Sequence, residues 1–129
     1  MSGDLLDTSI VITPVDPSTP LPPTAGISVV SLGELIAGVM LARTDSVREE
    51  RQMRLDDVRS TFDPLPVDAA VAERYGELLA FARSRRRITR APDLLILATA
   101  AAHNRTLITR DKRQGAFAQA AGVPASVIG

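Results

Sequence analysis

Asp7, Glu34, Asp93 and Asp111 are the residues of this 129-residue chain whose type and placement point to chemistry. Asp7 interrupts the apolar run from Leu5 to Ile12, where an unpaired carboxylate would be costly to bury. Glu34 follows a few residues after the β-branched run Ile27 to Val30, and Asp111 comes just after Leu107-Ile108-Thr109. Asp93 opens a long apolar stretch behind Pro92. If the apolar runs are neighbouring parallel strands, the four carboxylates meet beyond the strands' carboxyl ends, where ligand sites of open α/β sheets lie. Mutual repulsion and desolvation would then raise their proton affinity. A divalent cation resolves that conflict. Hard oxygen donors suit Mg2+ or Mn2+, which bind through a few carboxylates and keep waters for substrate phosphates.

Each acid but one also has a plain structural reading. Ser31-Leu32-Gly33-Glu34 matches a capping box, in which Glu34 would bind the Ser31 amide rather than a metal. Asp93 would favour the positive end of a helix, and Asp111 would sit in a turn before Lys112 and Arg113. Asp7 has no comparable account. With no cysteine and His103 as the single histidine, neither a thiol nucleophile nor a two-histidine ribonuclease is available. A phosphatase of the haloacid dehalogenase kind needs a second Asp where Ser9 stands, and a receiver domain needs an acidic pair that the start of this chain lacks.

The elements that must position these acids follow from periodicity and punctuation. Leu5 to Ile12 reads as a strand, and Pro14, Pro17, Pro20, Pro22 and Pro23 make the next stretch a non-helical link. Ile27 to Val30 reads as a second strand, and the Ser31 capping box opens a helix to about Ala42. A charged helix is expected over Ser46 to Ser60, a short strand over Leu65 to Val67, and a helix capped by Asp68 with Val71, Tyr75, Leu78, Leu79 and Ala82 inward. Pro92 and Asp93 start a buried helix to Ala102, Thr106 to Thr109 is a buried strand, Arg113 to Ala121 a helix, and Ser126 to Ile128 a last strand. Alternation of this kind implies an α/β fold with three layers, helices covering both faces of a parallel sheet.

With 45% hydrophobic residues the chain can bury one ordinary core, so residues 1–129 are expected to form one domain. No apolar run reaches the length of a membrane span, and the absence of cysteine and of a basic leader fits a cytoplasmic setting. Fifteen basic and fifteen acidic residues give a formal net charge of +0, so any nucleic-acid contact must be local. Arg85-Arg86-Arg87 with Arg90 reads either as a solvated loop or, lying shortly before Asp93, as a run that holds nucleic-acid phosphates. Tyr75 and the three phenylalanines fall at core-like spacings and offer no stacking platform.

Taken in order, Asp7-Thr8-Ser9, Glu34-Leu35, Asp93-Leu94-Leu95-Ile96-Leu97-Ala98 and Thr109-Arg110-Asp111 resemble the four motifs of the PIN-domain family, in the form typified by VapC toxins. The resemblance implies a sheet of about five parallel strands and a metal-dependent endoribonuclease using Mg2+ or Mn2+. It also implies inhibition by a VapB-type antitoxin, with a homodimer or a toxin–antitoxin hetero-oligomer as the assembly. Carried over by position, Asp7 and Asp93 would be the principal metal ligands, Glu34 and Asp111 would complete the acidic pocket, and Ser9 and Thr109 would support it. The basic residues at its mouth, Arg85, Arg86, Arg87, Arg90 and Arg110, would contact RNA. The proline-rich link stands where the family carries a helix before the Glu-bearing one. A stand-alone RNA-processing nuclease and an inactive PIN-like binding domain are the other readings of the same motifs.

Overall fold

The computed structural model describes residues 3–13 and 22–129. Its sheet is parallel throughout, with β1 (Asp4–Leu6), β2 (Thr106–Thr109) and β3 (Ala125–Val127) in the order β1-β2-β3. Single parallel bridges, Leu5 to Gly26 and Ser28 to Leu65, extend it beyond β1. The expected five parallel segments are therefore present, three as strands and two only as bridges.

Six helices complete the described fold: α1 (Thr8–Ile12), α2 (Val29–Met40), α3 (Asp45–Thr61), α4 (Ala69–Ser84), α5 (Ala91–Ala102) and α6 (Lys112–Ala120). Successive strand residues point to opposite faces, and each face has its own core. Leu5 and Leu107 pack with Val71, Leu78, Leu97 and Phe117, under α4, α5 and α6. Leu6 packs the other way with Ile10, Val11, Ile27, Leu35 and Val58, under α1, α2 and α3. This is the three-layer arrangement. Among the described residues no helix is long and apolar enough to cross a membrane.

Several expectations at the front of the chain need correction. The strand read over Leu5 to Ile12 stops at Leu6, and Thr8–Ile12 is the helix α1, so a short helix does precede α2. A brief apolar run fits either structure, and burial of Ile10 and Val11 in the second core selected the helix. Residues 14–21 of the proline-rich link lie outside the described residues. The run Ile27 to Val30 is likewise divided. Ser28 caps α2 by accepting from the Val30 amide at 3.0 Å, which puts Val29 and Val30 in the first helical turn and only residues 26 to 28 in the sheet. Ser31 is consequently inside the helix, its amide bonded to the Ser28 carbonyl at 3.0 Å, and the Ser31–Glu34 capping box does not exist. Leu65 to Val67 contributes one bridge rather than a strand.

The later elements fall within a residue of expectation: Asp68 caps α4 through the Val71 amide at 3.0 Å, and β2 is Thr106–Thr109. On α6, Gly115 lies so close to the Val127 side chain of β3 that a Cβ would collide with it. Gly115→Ala is thus expected to cost about 1–3 kcal/mol by forcing Val127 away. Thermal denaturation should show a lowered Tm that Val127→Ala largely restores in the double variant; additive losses would mean that this close approach does not set the α6–β3 packing.

Candidate active site

Chain direction brings the ends of β1 and β2 together, and their last residues lead straight into the motifs. The Asp7 amide bonds to the Ile108 carbonyl at 2.9 Å, and Asp7 is 6% exposed. A carboxylate this buried needs donors. Ser9 Oγ and Thr109 Oγ1 supply them, donating to Asp7 Oδ2 at 2.9 and 2.8 Å. The same hydroxyls accept in turn, Ser9 from the Arg110 amide at 3.2 Å and Thr109 from the Asp111 amide at 3.0 Å. The motif at the end of β1 is stitched to the motif at the end of β2.

Glu34 stands on α2, half-buried, with Oε1 accepting from Thr8 Oγ1 at 2.6 Å. Thr8 Oγ1 is also 2.8 Å from Ser31 Oγ. Ser31 and Glu34 are three residues apart on one helix face, so both reach the same threonine. The Ser-x-x-Glu spacing noticed in the sequence is therefore meaningful, but it serves Thr8 rather than a cap. Thr8 was the residue that sequence reasoning missed, although it lies inside the Asp-Thr-Ser trio.

Asp111 is exposed and is the N-cap of α6, with Oδ1 accepting from the Arg113 and Gln114 amides at 2.9 and 3.3 Å. Asp93 is the third residue of α5, half-buried, and its side chain takes no hydrogen bond from a described residue. Burial first, and then the Asp7 charge, push its carboxyl above the usual carboxylate range; Arg90 opposes this, while Glu34 and Asp111 add to it. All four acids therefore share one electrostatic environment. Gln114, also missed in the sequence, is buried and ties the two helix starts together by donating from Nε2 to the Asp93 carbonyl at 2.9 Å. No polar periodicity announces such a residue.

One carboxylate oxygen is fixed in each of three acids: Oδ2 of Asp7, Oε1 of Glu34 and Oδ1 of Asp111. Their second oxygens take no hydrogen bond from a described residue. Among the described residues no three Asp, Glu or His side chains are grouped tightly enough to enclose an ion by themselves. The site is a set of spaced acidic walls.

The arginines divide by place. Arg86, Arg87 and Arg90 line a cleft of about 650 Å³ with Asp93 and Asp111. Arg85 lies over the Phe81 ring, 4.8 Å from its centre. Arg110 is turned to the other side, donating to the Thr13 carbonyl from Nε at 3.1 Å and from an Nη at 2.7 Å. Glu34 borders a separate groove with Ile12, Leu35, Gly38, Arg51 and Arg54.

The chain is similar to known proteins over most of its length. Ribonuclease VapC4 of Mycobacterium tuberculosis (strain ATCC 25618 / H37Rv) is 34% identical over 117 residues, covering 88% of this chain and 89% of that protein. Ribonuclease VapC5 of the same strain is 36% identical over 104 residues, covering 80% and 76%. Among solved structures, a member of the VapBC family of toxin–antitoxin systems, VapBC-5 from Mycobacterium tuberculosis, superposes with a TM-score of 0.86 at 32% identity, over 99% of this chain and 100% of that one. The family model described as the PIN domain matches residues 5–123, and the chain belongs to the PIN-domain family.

Proposed function

We propose that this chain is a metal-dependent endoribonuclease that hydrolyses RNA phosphodiesters and is the toxin of a VapBC-type pair. Its partner is then a VapB-type antitoxin, in a toxin–antitoxin hetero-oligomer or beside a homodimer, and its action belongs to the cytoplasm, where RNA is. Residues 1–129 work as one nuclease domain. The reading is supported by the ribonuclease names of the two relatives and by the VapBC source of the similar structure. The observation that carries it is the half-saturated state of the acids, each of three held by one oxygen with the other left for a ligand.

The donors are carboxylate oxygens alone, the chemistry that suits a hard cation such as Mg2+ or Mn2+ that keeps part of its water shell. Asp7 and Asp93 would be its principal ligands, and Glu34 and Asp111 would complete the pocket. When bound, the cation neutralises charge on the phosphate oxygens and lowers the pKa of water. Ser9 and Thr109 hold Asp7 against rotation, and Thr8 does the same for Glu34, so the carboxylates are oriented before substrate arrives. Asp93 takes no hydrogen bond from a described residue; burial first, and then the Asp7 charge, disfavour its ionised form, which a cation held there would favour.

Asp7→Asn and Asp93→Asn are each expected to abolish RNA cleavage and growth inhibition while the protein remains folded. Full cleavage by either purified variant would sink the assignment. For Asp93 the sign of the pH effect also follows. A carboxyl raised above its ordinary 3.8 binds protons more tightly when folded, so folding stability falls as pH rises through the interval above 3.8. Metal-free Asp93→Asn should therefore be at least as stable as the parent at neutral pH, with the difference vanishing below 3.8. Melting curves across pH test this, and a variant less stable at neutral pH contradicts it.

Glu34→Gln removes a charge but keeps an oxygen for Thr8. Cleavage should fall strongly and recover in part as Mg2+ or Mn2+ is raised, with Tm nearly unchanged. Normal cleavage at low metal would leave Glu34 as a structural acceptor for Thr8 alone.

A further inference from the structure

The cleft beside Asp93 and Asp111 has an electrostatic character that the acids do not explain. Arg86, Arg87 and Arg90 come to it from the link between α4 and α5, and Lys112 and Arg113 from the start of α6. None of the five makes an ion pair or a side-chain hydrogen bond with a described residue. The ion pairs among the described residues lie elsewhere, within α3 and α4: Arg48–Asp45, Arg54–Asp57 and Arg74–Glu77. In a chain of formal net charge +0, five unpaired cations around one cleft are a local excess.

Their positions also run against stability. Lys112 and Arg113 occupy the first turn of α6 and Arg90 the N-cap of α5, ends of helices that favour anions. Arg86 follows the α4 C-cap with φ at 53°, in the left-handed region where glycine is the usual residue. Its amide and that of Arg87 bond back to the Arg83 and Ala82 carbonyls at 3.1 and 2.8 Å, which fixes the turn. Local rules broken at one place without a compensating interaction mark a functional surface.

We propose that this cleft is a backbone subsite for the RNA strand, in which Arg86, Arg87 and Arg90 on one wall and Lys112 and Arg113 on the other hold the phosphates flanking the scissile one. The inference rests on the nuclease reading and names how the substrate is held. The recognition is of phosphate rather than base. Phe117, the aromatic residue of the lining, is 2% exposed and lies under the Arg87 guanidinium, 5.7 Å from its ring centre. No ring face there is open for stacking, and guanidinium and ammonium groups recognise phosphate whatever the base. The subsite therefore adds affinity without sequence preference.

The test measures binding of two labelled single-stranded oligoribonucleotides of unrelated sequence to the purified chain, in EDTA so that neither is cut, over a range of salt. Two variants are compared with the parent, Arg86→Gly and the double Lys112→Ala/Arg113→Ala. Glycine suits the left-handed turn and alanine relieves the helix start, so both variants should melt no lower than the parent. The slope of log affinity against log salt should become shallower by about 0.7 for each phosphate that the variant no longer neutralises. Both oligoribonucleotides should lose affinity by the same factor. Unchanged affinity and slope overturn the subsite, as does a loss confined to one sequence. Retained RNA binding with loss of an acidic peptide's binding would assign the cleft to a protein partner and also overturn it. Cleavage by the parent with Mg2+ is measured in parallel: weaker binding by the variants upholds the subsite even if the parent does not cut, and equal binding overturns it even if the parent does.

Discussion

The hydrogen bond from Thr109 Oγ1 to Asp7 Oδ2 is the interaction on which the rest of the site depends. Asp7 is buried just past the end of the first strand, and a carboxylate in that position survives only with donors. Thr109 is itself 0% exposed and could not leave its hydroxyl unpaired. Each residue is therefore the other's reason for being tolerated. Their bond fixes the ends of β1 and β2 relative to one another, and from those ends the chain departs into α1 on one side and into the Asp111 cap on the other.

Around that bond the molecule separates two kinds of charge. The acids repel one another through Asp93, and hydroxyls or amides occupy one oxygen in each of the other three. The unpaired cations are kept in the adjoining cleft rather than folded onto the acids, although Arg90 is near enough to oppose the rise in the Asp93 pKa. Leaving them apart maintains a field that changes sign over a short distance.

Much of this was legible in the sequence, and the failures are instructive. Asp7, Asp93 and Asp111 could be placed because each adjoins a run whose apolar character is plain: the strand Thr106–Thr109 and the helix Ala91–Ala102 have length and composition on their side. The front of the chain was harder. Thr8 to Ile12 is too short to carry a helical period, and its state was decided by packing of Ile10 and Val11 against residues from α2 and α3. Ser28 and Ser31 are both plausible caps by type; only the bridge from Ser28 to Leu65, which joins distant segments, chooses the first. Thr8 and Gln114 belong to a class that sequence patterns do not expose, since their role is to join two segments and emerges only when both are in place.

The order of elements along the chain has a consequence for how the protein is made. The first strand's ladder partner is β2, and Asp7 and Thr109 are separated by 102 positions. Until Thr109 has been synthesised, Asp7 lacks the neighbour that makes its burial possible, and Asp111 does not yet exist. The acidic site therefore cannot close while β1 alone has emerged from the ribosome, and it is completed only when β2 and the Asp111 cap of α6 have followed.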